Sequence, residues 1–143
     1  MLYYVIGEEG TGKTQYLVDE ANKEKENNIN NIVFITTDKD RTRISDHKVR
    51  LINAKSYNIN CHCALKGFIA GILARDYDIG KVYVDGIYDI IDFDKEKLEK
   101  LTDSLSELSE YAKADIYLSL DWSKEDLSLI HISEPHETPE HLV

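Results

Sequence analysis

Apolar residues come along this chain in two rhythms, short continuous runs and longer helical stripes, and the two alternate. Residues 2–6 (L-Y-Y-V-I), 31–37 (N-I-V-F-I-T-T), 81–85 (K-V-Y-V-D) and 115–120 (D-I-Y-L-S-L) are rich in β-branched and aromatic side chains. That is the composition of strands buried on both faces of a parallel sheet. Residues 49–54 predict a further short strand. Between the runs the period changes. Residues 15–26 set Leu17, Val18, Ala21 and the stem of Lys25 on one helical stripe. Residues 64–76 do the same with Leu65, Phe68, Ile69, Ile72 and Leu73, and residues 95–112 with Leu98, Leu101, Leu105 and Leu108. The last stripe, with charges opposite, reads as a core face and not as a partner groove. Asparagines at 27, 28, 30 and 31 stop the first helix, Gly80 breaks the second pattern, and polar residues 38–48 read as a loop.

Strands alternating with helices predict an α/β fold with a doubly wound, mainly parallel sheet in three layers, ligands binding at the carboxyl ends of its strands. With 143 residues, 42 % of them hydrophobic and 31 % charged, the chain is sized for one domain with a sizeable core. No segment approaches the ~18 apolar residues of a membrane span. The start of the chain runs straight into a strand, without signal or transit character. A net charge of −10 argues against a nucleic-acid partner, because the cations at Lys39, Arg41, Arg43, Lys48 and Arg50 are interleaved with Asp38, Asp40 and Asp46. Cys61 and Cys63 are too few and too close for a disulfide scaffold or a four-ligand zinc site. Cys-His-Cys around His62 reads as a helix start with buried thiols, in a reduced, cytoplasmic protein.

The chemistry is concentrated in residues 7–14, G-E-E-G-T-G-K-T, directly after the first strand and before the first helix. This is a complete phosphate-binding loop (Walker A), comprising Gly7, Glu8, Glu9, Gly10, Thr11, Gly12, Lys13 and Thr14. The glycines let backbone N–H groups turn inward around an anion, and the helix N-terminus adds unpaired donors and its positive dipole end. Lys13 is expected to face the ligand, reaching the β- and γ-phosphates, with the Thr14 hydroxyl placed on Mg²⁺. A second signal is Asp85, closing the hydrophobic run 81–85 as a Walker B carboxylate would, to complete the metal shell. The ligand so implied is Mg-ATP or Mg-GTP, bound through residues 7–14. In such sheets the strand after Walker B inserts between it and the loop strand, which would bring Ser119 or Asp121 near the γ-phosphate.

Residues 1–127 resemble a family of small single-domain P-loop proteins of Firmicutes. The resemblance rests on the G-E-x-G-[ST]-G-K-T loop, the segment L-I-N-A-x-x-Y at 51–57, the helix K-G-F-I-x-G-I-L-A at 66–74 and the hydrophobic-D-G run at 82–86. It implies ATP binding by a P-loop NTPase-type fold in a bacterial protein and little about the reaction. Looser similarity to thymidine kinases, in the Asp/Arg-rich residues 38–43 and Ser45 to His47, implies nucleoside-kinase-like phosphotransfer as an alternative. Those enzymes also carry a zinc ribbon and a nucleoside lasso, to which nothing here corresponds.

Hydrolysis needs a group to polarise water, often a Glu directly after the Walker B Asp. Here that position is Gly86. Asp38, Asp40 and Asp89 are the alternative carboxylates, and Arg41, Arg43 and Arg75 the available arginine fingers. The readings are a slow or partner-activated NTPase, or a nucleotide-dependent switch without turnover.

Residues 127–135, L-S-L-I-H-I-S-E-P, resemble the translation of the transposon-derived adapter used in DNA library preparation, and residues 136–138 continue it after a one-base shift. The expectation is a nucleotide-binding domain over 1–126 and a non-native tail over 127–143. On that reading His131, His136 and His141 carry no metal-site argument.

Overall fold

The computed structural model describes residues 1–7, 12–27, 30–37 and 49–121. It is an α/β arrangement in which a five-stranded, all-parallel sheet is flanked by three helices. In chain order these are β1 (Leu2–Ile6), α1 (Lys13–Asn27), β2 (Asn31–Thr36), β3 (Val49–Asn53), α2 (His62–Arg75), β4 (Ile79–Val84), α3 (Lys95–Ala112) and β5 (Asp115–Leu120). Across the sheet the order is β1-β5-β4-β2-β3. The last strand does insert between β1 and β4, as the sequence predicts. Because every strand runs the same way, their carboxyl ends share one edge.

Each face of the sheet is buried, which explains the continuous apolar runs. One face carries Tyr4, Val33, Ile35, Val82, Val84, Ile116 and Leu118, packed against Leu65, Ile69 and Leu73 of α2 and Leu98, Leu101 and Leu105 of α3. The other carries Val5, Ile32, Phe34, Val49 and Tyr83 beneath Leu17, Val18 and Ala21 of α1. On the α1 side a row of aromatic rings crosses four strands. Tyr3 stacks on Tyr117 at 4.7 Å between centroids, Tyr117 on Tyr83 at 4.9 Å, and Tyr83 on Phe34 at 5.9 Å. Burial pushes the Tyr117 hydroxyl up to about 12 and the Tyr83 hydroxyl well above the usual phenol range. On the opposite face the buried Tyr4 hydroxyl bonds Thr102, tying β1 to α3.

Local signals set the helix ends. Asp94 caps α3 by accepting from the Lys97 N–H at 2.8 Å, and Lys113 closes it in the left-handed region at φ 55°. Cys61 caps α2 through its sulfur, which accepts from the Ala64 N–H at 3.3 Å. The cysteines therefore do mark a helix start. Their thiols are exposed, however, and not buried as the sequence suggests; at the first turn of α2 these side chains lie outside the stripe that meets the sheet. Gly80 also departs from expectation. It lies inside β4, at an irregularity where Asn31 faces Ile79 and Ile32 faces Lys81. A side chain on this extra residue would come within 2.9 Å of Asn30, so glycine marks a bulge here and not a break. No helix among the described residues is long and apolar enough to cross a membrane.

Candidate functional site

At the carboxyl edge the ends of β1, β5, β4 and β2 meet the N-terminus of α1. Lys13 and Thr14 open α1, and Gly12 precedes them at φ 86°, a conformation only glycine adopts without strain. Glu8, Glu9, Gly10 and Thr11 lie outside the described residues; Gly7 and Gly12 bracket them. Lys13 begins α1 beside Gly7. It is only 3 % exposed, its Nζ donating to the Gly7 carbonyl at 2.7 Å and lying 5.4 Å from the centre of the Tyr88 ring. An ammonium this buried needs partners, and the carbonyl of Gly7 supplies one of them.

Asp85 follows β4 and is 3 % exposed. Its backbone N–H donates to the Ile35 carbonyl at 2.8 Å, anchoring it to β2. Two hydroxyls address its carboxylate. Thr14 Oγ1 donates to one oxygen at 2.7 Å, and Ser119 Oγ donates to the other at 2.8 Å. The Ser119 oxygen in turn accepts the Gly86 N–H at 3.2 Å, which leaves its own proton for Asp85. Among the described residues no cation pairs with this carboxylate.

Gly86 completes the turn at φ 72°, and Thr37 Oγ1 donates to its carbonyl at 3.2 Å. A Cβ built on Gly86 would lie 2.6 Å from that Thr37 oxygen. The residue after Asp85 is thus closed to side chains by backbone conformation and by space together. Asp89 ends the short 3-10 turn that follows, exposed, with an oxygen 3.8 Å from where such a Cβ would stand.

The sequence-predicted residues divide into three groups. Thr14, Asp85 and Ser119 are brought into direct contact, with Lys13 at the same edge. Ser119 addresses the Asp85 carboxylate, and Asp121 lies just beyond β5, exposed. Arg75 belongs elsewhere: it ends α2 and lines a cavity with Asn31 and Ile79 at the amino ends of β2 and β4, so it is no arginine finger for this edge within one chain. Asp38, Asp40, Arg41 and Arg43 lie outside the described residues, as does the stretch 122–143. Thr37 and Tyr88 were not anticipated. A threonine just after a strand and a tyrosine in a turn carry no spacing signal, and only the strand order shows what they face. Among the described residues no three His, Cys, Asp or Glu side chains converge as a metal cluster. No protein-family model matches the chain, and no curated protein is significantly similar to it.

Proposed function

We propose that this chain is a P-loop-type nucleotide-binding protein that takes Mg-ATP or Mg-GTP at residues 7–14 and hydrolyses it slowly, or only with a partner. One observation carries the reading. Thr14 and Asp85, 71 residues apart and singled out by two different motifs, are joined by a 2.7 Å hydrogen bond at the carboxyl edge of a parallel sheet. Further support comes from the chemistry of the donor set. The single proton of the Thr14 hydroxyl is spent on Asp85, so its oxygen presents lone pairs to a metal. A buried carboxylate that receives only hydroxyl donors is costly to hold without a counter-charge, which a divalent ion would supply, usually through water. Lys13 would exchange the Gly7 carbonyl for phosphate oxygens. Bound with the nucleotide, magnesium would supply charge neutralisation of the phosphates.

Turnover is expected to be slow because Gly86 cannot hold the water-polarising Glu that many ATPases place there. The same observation favours the second reading, a nucleotide-dependent switch. Melting curves with and without millimolar Mg-ATP or Mg-GTP test the binding. Nucleotide at one hundred times its dissociation constant should add ~2.7 kcal/mol of stability, and Lys13→Ala should remove that gain. No shift with either nucleotide, in folded protein, would sink the proposal. Phosphate release should run near the ~10⁻⁴ s⁻¹ of an unassisted small GTPase. A rate of ~10 s⁻¹ would mark a dedicated enzyme instead, and Asp89→Asn would then ask whether that carboxylate is the base. Transfer to a nucleoside in place of water would identify the kinase alternative.

A further inference from the structure

The hydroxyls of Ser119 and Thr37 take part in a continuous chain that runs across three strand ends. Thr37 Oγ1–H donates to the Gly86 carbonyl at 3.2 Å, Gly86 N–H donates to Ser119 Oγ at 3.2 Å, and Ser119 Oγ–H donates to Asp85 Oδ1 at 2.8 Å. Thr37 follows β2, Gly86 follows β4 and Ser119 lies on β5. All three residues are buried. Every donor points toward Asp85, and because the N–H and carbonyl of Gly86 belong to successive peptide groups joined at its Cα, what they can transmit is position. Gly86 sits between, with both its carbonyl and its N–H engaged at φ 72°, so a displacement of one bond is felt at the other.

We propose that Ser119 and Thr37 are positioning residues: through Gly86 they set the orientation of the Asp85 carboxylate, and so couple metal ligation at Asp85 to the position of the residue that follows β2. This rests on the reading of residues 7–14 and Asp85 as a magnesium-nucleotide site, and it adds a mode of regulation to that site. Residue 37 leads directly into the charged stretch 38–48. Whatever moves the start of that stretch therefore pulls on the Gly86 carbonyl and turns the carboxylate by way of Ser119. The coupling is reciprocal, because a metal that fixes the carboxylate also fixes Thr37.

The test uses the full chain with a fluorescent N-methylanthraniloyl ATP or GTP, titrated with Mg²⁺ and separately in EDTA. Ser119→Ala should raise the Mg²⁺ concentration for half-maximal binding about tenfold, the scale at which partners of metal ligands act. Thr37→Val, close to isosteric, should raise it by less, and Thr37→Ser should restore the wild-type value. Affinity in EDTA should be the same for all four proteins. An unchanged Mg²⁺ requirement in both Ser119→Ala and Thr37→Val, while Asp85→Asn raises it, overturns the coupling and leaves the nucleotide reading standing. Equal weakening with and without Mg²⁺ gives these residues a merely structural role and overturns it too. Should Ser119→Ala not fold, the Thr37 pair decides. If the wild-type chain binds neither nucleotide, the site reading fails, and the coupling with it.

Discussion

Asp85 follows β4 and Asp115 opens the neighbouring β5, so they lie at opposite ends of the sheet, and their surroundings differ in kind. Asp115, at the amino end, meets protein cations on both oxygens: the Lys81 ammonium at 3.0 Å and the N-terminal ammonium of Met1 at 3.0 Å. Burial alone would raise its carboxyl, but the hydrogen bonds from Lys81 and the amino terminus outweigh that and hold it below the ordinary Asp range. Its side chain is 33 % exposed, so water screens the pair. Asp85, at the carboxyl end, is almost wholly buried and receives two hydroxyl donors but no cation among the described residues. A carboxylate neutralised by its own protein holds a fold together. One that is addressed by hydroxyls, with no cation beside it among the described residues, plays no such part, and the proposed magnesium would be its counter-charge.

The largest expected effect breaks this comparison from the Asp85 end. Asp85→Asn should weaken Mg-nucleotide binding about ten- to a hundredfold and leave binding in EDTA unchanged, while Asp115→Asn changes neither. Equal loss for Asp85→Asn in both conditions would place Asp85 with Asp115 as a structural residue. Next comes the turn that holds Asp85. Gly86→Ala forces a side chain into a left-handed conformation and against Thr37, at a cost of about 1–3 kcal/mol, seen as a lowered urea midpoint. A variant as stable as wild type would mean that the turn relaxes freely and that position 86 is open to a Glu after all.

The ion pair should matter less. Asp115→Asn is expected to lower stability by about 1 kcal/mol or less, because exposed pairs contribute little, and the melting temperature by about 4 °C at most. The smallest effect is in acid. The folded carboxyl of Asp115 titrates below its unfolded value, so its contribution is complete above the ordinary Asp range and disappears as pH falls through the depressed folded value. Between about pH 4 and pH 2, wild type should lose more stability than Asp115→Asn, and the two curves should converge. Parallel curves would show that the pair makes no linked contribution.

Much of this architecture is legible in the residue pattern. The sequence-predicted bounds of β1, α3 and β5 coincide with those observed, because an apolar run of five or six residues and a stripe of four leucines at helical spacing are strong periodic signals. The pairing of Thr14 with Asp85 follows from motif spacing plus the rule that parallel strands end together. Other features have no period to read. The 3-10 turns Ala54–Tyr57 and Ile87–Asp89 are too short. Gly80 looks like a breaker until its partner strand shows it to be a bulge. The link from Thr37 to Gly86 joins residues 49 apart, and it exists only because β2 lies beside β4. Lys13 illustrates the remaining gap: its identity follows from the motif, but its engagement with Gly7 and Tyr88 depends on packing that no local signal encodes.

The place of β1 in the sheet also has a consequence in time. Among the described strands it pairs only with β5, and Met1 and Asp115, which meet across that pairing, are 114 residues apart. A chain made at ~5–20 residues per second needs on the order of ten seconds to deliver the partner of its first strand. Through that interval L-Y-Y-V-I waits without its neighbour, a short apolar β-forming segment of the kind that invites wrong pairings during synthesis. Residues 7–14 leave the ribosome early, but Ser119, which donates to Asp85, comes from β5, the last of the described strands. The edge that gathers Lys13, Thr14 and Asp85 is therefore finished late, and a nascent chain cut short before β5 has the motif without the Ser119 bond to Asp85.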